Sequence, residues 1–67
     1  MKVNEWLKVK SKCGNFVGQL NFIGKNVLSF RTGLNDVLIL SSIDLIDYEY
    51  VKGRDIEIRK NGKYYVQ

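Results

Sequence analysis

The chain has 67 residues, 45% of them hydrophobic, and a formal net charge of +4. A chain of that size makes at most one domain (residues 1–67) and buries about 60% of the surface its unfolded form exposes, while its hydrophobic content excludes a disordered tail. No apolar run approaches the about 18 residues of a membrane-spanning helix. The absence of histidine removes Ser-His-Asp and Cys-His catalysis, and the single cysteine excludes both an internal disulfide and a Cys-based zinc site.

The first strand is expected over about residues 3–12, where Lys8, Lys10 and Lys12 alternate with Leu7, Val9 and Ser11. A two-residue Gly14-Asn15 turn would lead into a second strand over about residues 16–23, with Phe16, Leu20 and Phe22 facing inward. That register sets Val9 opposite Leu20, Leu7 opposite Phe22, Lys8 opposite Asn21, Lys10 opposite Gln19 and Trp6 opposite Ile23. Cys13, beside the turn, reads as a small, partly buried filler.

A three-residue loop, Gly24-Lys25-Asn26, with Asn26 left-handed, then places Phe22 against Leu28 and Leu20 against Phe30. The third strand follows over about residues 27–32, with Val27, Ser29 and Arg31 outward. Thr32 to Asp36 form a connecting loop. Val37-Leu38-Ile39-Leu40 is apolar without alternation, the pattern of a short strand covered on both sides. Ile43 and Ile46, three apart after two serines, predict a 3₁₀ turn near residues 41–46, started by a serine hydroxyl. A fifth strand over about residues 46–51 carries Tyr48 and Tyr50 on one face and Asp47 and Glu49 on the other. Asn61-Gly62 then turns a final hairpin that sets Ile58 opposite Tyr65 and Arg59 opposite Tyr64. The expectation is an all-β fold: a small, partly open antiparallel barrel of six to seven short strands.

Charge is unevenly placed. Residues 1–35 carry six basic side chains against Glu5 alone, whereas residues 36–67 carry five basic against six acidic. The outward side of the first three strands thus gathers Lys8, Lys10, Lys12, Gln19, Asn21 and Arg31, a donor set suited to nucleic acid or an acidic protein partner. Lysines two apart on a strand recur at roughly 6.6–6.8 Å, near the spacing of successive phosphates. At one end, Trp6, Ile23 and Val27 form an apolar corner, a candidate interface. No metal, cofactor or nucleophile motif accompanies the carboxylates.

Phe16-Val17-Gly18-Gln19-Leu20-Asn21-Phe22, Val27-Leu28-Ser29-Phe30 and Leu38 to Ile46 together resemble the pattern of pleckstrin-homology-like and GRAM-like domains, which extends over about residues 14–67. Such domains close their barrel with a C-terminal helix, for which these residues offer no candidate. The residues up to Tyr48 also resemble small SH3-like or Sm-like barrels, whose strands are joined by a 3₁₀ turn before the last one. Both resemblances imply a barrel that binds rather than catalyses. The resulting expectation is a non-enzymatic, self-associating interaction module without a cofactor, engaging a protein partner or assembly. Nucleic-acid binding through the basic face is the alternative, and anionic lipid ranks below both. Met1 to Glu5 lack the apolar core of a signal peptide, which predicts a cytoplasmic location.

Overall fold

Alternation of apolar and polar residues drives the first half of the chain into strands, each with one face for the core and one for water. The computed structural model describes residues 1–67. Seven strands form: β1 (Trp6–Ser11), β2 (Gly14–Ile23), β3 (Val27–Gly33), β4 (Asp36–Ser41), β5 (Leu45–Val51), β6 (Ile56–Ile58) and β7 (Tyr64–Val66). Two 3₁₀ turns, Ser42–Asp44 and Gly53–Asp55, precede β5 and β6. The first five strands make one antiparallel sheet in the order β4-β3-β2-β1-β5, and β6 pairs with β7 alone. β4 and β5 are its two edges and do not meet, so the barrel is open along that side.

The core is built by the inward residues Leu7, Val9, Leu20, Leu28, Phe30 and Leu40, with Phe16, Leu38, Leu45 and Tyr48 packed against them. Phe16 meets Phe30 edge to face at 5.0 Å. Every buried polar side-chain atom has a hydrogen-bond partner.

The first hairpin turns two residues earlier than its glycine implies. Lys12 and Cys13 form the loop, and Ser11 stands opposite Gly14. The Ser11 hydroxyl donates to the Gly14 carbonyl at 2.6 Å and accepts from the Cys13 N–H at 3.2 Å. Gly14, at φ +124°, takes the first position of β2, where a side chain would be strained. Leu7 therefore faces Gly18, Val9 faces Phe16 and Trp6 faces Gln19. The slip from the expected register is four residues, an even number, so the side chains paired between β1 and β2 keep their faces. Cys13 lies exposed in the turn rather than partly buried. β1 begins only at Trp6, because Asn4 (φ 77°) takes the left-handed conformation expected of Asn26 and breaks the extended chain before it.

Two further corrections come from bulges. Leu20 does pair with Phe30, but the register shifts before Phe22, which pairs with Ser29 while Ile23 pairs with Leu28. The unpaired residue, Asn21, turns Phe22 out of the core to 56% exposure. Gly24 to Asn26 do connect β2 and β3, and the Gly24 N–H donates to the Val27 carbonyl at 2.8 Å. A second shift, between Arg31 and Gly33, carries β3 through Gly33 and closes the connection to β4 with Leu34 and Asn35 alone. The 3₁₀ turn forms where expected, but no serine side chain caps it.

β4 is not covered on both sides. Its residues alternate, with Leu40 buried while Val37 and Ile39 stand 58% and 71% exposed. A one-sided apolar edge strand and a doubly buried one share the same unbroken apolar sequence.

The β6–β7 hairpin sets Ile58 opposite Tyr64 and Glu57 opposite Tyr65, one residue from the expected register, because its loop runs from Arg59 to Lys63. Ile58 is exposed as a result. The hairpin docks at the end of β3: Gly33 bridges to Lys63, the Leu34 N–H donates to the Gly62 carbonyl at 2.9 Å, and Lys63 Nζ reaches Asp36 at 3.2 Å.

Candidate functional site

Paired residues on neighbouring strands share a face, so the registers define the outer surface row by row. One row reads Val51, Trp6, Gln19, Arg31 and Val37 across β5, β1, β2, β3 and β4. The next, across β2, β3 and β4, reads Phe22, Ser29 and Ile39. On the far side of the first row lie Glu49, Lys8 and Val17, followed by Asp47, Lys10 and Asn15.

The expected basic patch is divided by this arrangement. Lys8 and Lys10 are exposed and share the outer face, but β5 sets Glu49 and Asp47 opposite them. Lys12 leaves the strand for the turn, and Asn21 occupies the bulge. Gln19 donates to the Asn4 carbonyl at 3.2 Å. The Arg31 guanidinium donates to the carbonyls of Gly33 at 3.3 Å and Leu34 at 3.2 Å. Thus two of the six expected donors are engaged by the chain's own backbone. Lys8 and Lys10 face carboxylates across the strand pair, which lowers the local positive potential.

A cleft of about 660 Å³ lies between the sheet and the terminal hairpin, lined by Lys8, Lys10, Asp47, Glu49, Tyr64 and Tyr65 among others. Lys63 and Asp36 also line it, so lysines and carboxylates are matched there.

The apolar corner is not assembled. Trp6 stands opposite Gln19, not Ile23, and the terminal hairpin covers it: its ring meets Tyr64 edge to face at 4.9 Å. The second 3₁₀ turn closes the other side, since a Cβ on Gly53 would lie 3.2 Å from the Trp6 Nε1. Ile23 and Val27 remain near the β2–β3 turn, away from Trp6.

An apolar surface that the sequence did not single out lies elsewhere. Phe22, Val27, Val37 and Ile39 gather on the outer face of β2, β3 and β4, around the small side chain of Ser29. The Phe22 ring and the Val27 side chain both reach over Gly24, where a Cβ would stand 3.0 Å and 2.7 Å from them. One signal pointed there: the uninterrupted run Val37 to Leu40 exceeds what a half-buried strand needs. No residue pattern says which half faces water.

Tyr48 and Tyr50 meet edge to face at 5.6 Å on the β5 edge. Hydrogen bonding with the Tyr48 side chain raises the Tyr50 pKa above its ordinary value of 10.0, with desolvation and the charges of Tyr48 and Glu5 adding in the same direction. No group of three or more acidic, cysteine or histidine side chains comes together in metal-binding geometry. No helix is long and apolar enough to cross a membrane.

Fold and surface define the chain's class: a small all-β domain built on an open five-stranded antiparallel sheet, with a docked hairpin and an apolar outer face beside one edge. Comparison with protein-family models, curated proteins and solved structures gives no significant match.

Proposed function

We propose that this chain is a non-enzymatic protein-interaction module that works through the outer face of β2, β3 and β4. The observation that carries the reading is the clustering of Phe22, Val37 and Ile39, all more than half exposed, on one continuous stretch of sheet. Large apolar side chains grouped on a surface gain free energy when a partner removes them from water, at about 25 cal/mol per Å² buried. Arg31 borders the patch and supplies a polar rim. The layout favours the SH3-like or Sm-like resemblance over the pleckstrin-like one: β5 follows a 3₁₀ turn and returns to lie beside β1.

The test is affinity capture from expressing cells with the wild type and with a Val37→Lys/Ile39→Lys variant, followed by identification of the retained polypeptides. The wild type retains polypeptides, its own copies included, that the variant loses. Identical retained sets would refute the reading.

A further inference from the structure

The free edge of β4 differs from that of β5 in ways that select an occupant. Exposed edges present unpaired N–H and C=O groups, and proteins guard them with charges, prolines or bulges. β5 has two such guards: Asp47 and Glu49 along its outer face, and a register shift between Lys10 and Ser11 that leaves Ile46 unpaired. β4 has none between Val37 and Leu40, and its only charged residue, Asp36, is held by Lys63 at 3.2 Å.

We infer that the β4 edge pairs with the β4 edge of a second copy of this chain, antiparallel about a two-fold axis at Leu38. This rests on the interaction reading above and names its partner. Charge decides among the possible pairings. Two β5 edges would bring Asp47 and Glu49 of both copies together, like against like. A β4 edge against a β5 edge would bring those carboxylates up to Val37 and Ile39 with no cation to meet them. Only β4 against β4 joins apolar to apolar. It is also self-complementary, as a two-fold interface must be.

Pattern then sets the register. Faces match only if the residue numbers of opposing partners sum to an even value. The axis at Leu38 puts Val37 opposite the second copy's Ile39, and Ile39 opposite its Val37. Both exposed side chains of each chain thereby gain a β-branched partner. An axis at Ile39 would leave Val37 opposite a serine. The resulting sheet has ten strands, and its outer apolar patches merge across the axis. A contact made by one strand edge lies at the small end of interface sizes, so dimer formation depends on concentration.

The experiment is sedimentation or light scattering of the wild type from micromolar to millimolar concentration, beside Ile39→Lys and Ile43→Lys. Both substituted positions are exposed, at 71% and 77%, so the fold tolerates lysine at either; Ile43 lies in the 3₁₀ turn, off the edge. The wild type and Ile43→Lys rise from 7.8 kDa towards twice that mass, and Ile39→Lys stays at 7.8 kDa. Far-UV circular dichroism confirms that each variant is folded. In a Cys13→Ser background, Leu38→Cys joins two chains by a disulfide under mild oxidation, because opposing residues on antiparallel strands lie within bridging range. Ile43→Cys does not. A wild type that remains monomeric at every concentration, a dimer that survives Ile39→Lys, or equal loss in both lysine variants overturns the inference. If the wild type is monomeric yet Val37→Lys/Ile39→Lys still abolishes capture, self-pairing fails and the interaction reading stands.

Discussion

Replacing Gly33 with alanine tests how the terminal hairpin is held to the sheet. A Cβ at this position would stand 2.6 Å from the Gly62 carbonyl oxygen and 3.2 Å from the Lys63 Cα. Both are backbone atoms, so no side chain can rotate away. Restoring an ordinary contact of 3.4 Å moves the hairpin by about 0.8 Å. Overpacking of this kind costs about 1–3 kcal/mol. The displacement also stretches the 2.9 Å hydrogen bond from Leu34 to that same carbonyl, which contributes about 1 kcal/mol. The expected loss is about 2–4 kcal/mol, against a total of about 3–10 kcal/mol for 67 residues at roughly 0.05–0.15 kcal/mol each. The assay is urea unfolding followed by circular dichroism and by the fluorescence of Trp6, the only tryptophan, which rests on Tyr64 of the hairpin. With a slope of about 1 kcal/mol per molar urea, the midpoint falls by about 2 M or more, and the native emission of Trp6 shifts towards that of a hydrated indole. Gly24→Ala is the control: its nearest neighbour is the end of the Val27 side chain, which can turn aside. A Gly33→Ala protein within about 0.5 kcal/mol of the wild type would refute the account of docking.

Phe30 is fully buried and meets Phe16 edge to face, so Phe30→Ala costs about 3–5 kcal/mol; guanidinium titration will show a largely unfolded chain at room temperature unless the core collapses around the gap. Asp47→Asn with Glu49→Gln removes the acidic neighbours of Lys8 and Lys10. Affinity for a nonspecific oligonucleotide, read by fluorescence anisotropy, then rises several-fold at low salt and falls as salt is added; an unchanged affinity means the lysine stripe does not contact phosphates. Tyr50 holds its proton above pH 10.0, so its contribution to stability is complete below that pH and is lost as pH rises through the folded-state value. Tyr50→Phe removes from an absorbance titration a phenol that ionises above the ordinary pKa of 10.0, and a titration whose high-pH side is unchanged by the substitution would contradict the Tyr48–Tyr50 hydrogen bond.

Some features were legible in the residues because they depend only on period. Leu7, Val9, Leu20, Leu28 and Phe30 face inward in the expected and the observed register alike, since a strand alternates its faces and the first hairpin slipped by an even number. The 3₁₀ turn, the loop Gly24 to Asn26 and the all-β character likewise follow from local spacing and turn chemistry. The candidate site was less legible. Lys8 and Lys10 kept the predicted face, but their opposition to Glu49 and Asp47 comes from β5 returning to β1, a contact between residues some forty positions apart. Trp6 appeared free because nothing in its neighbourhood announces that Tyr64 will cover it.

Alternation along the chain by itself determined that the fold is all-β and that Leu7, Val9, Leu20, Leu28 and Phe30 belong to the core. Tertiary structure alone decided where the sheet stops, which face of Val37-Leu38-Ile39-Leu40 meets water, and how the lysines are matched by acid. The reason is that side-chain direction is a property of each strand's own backbone. Edges, bulges and charge neighbours exist only once distant strands have chosen partners, and a one-residue bulge such as that at Asn21 moves a phenylalanine from the core to the surface without leaving a mark in the local pattern.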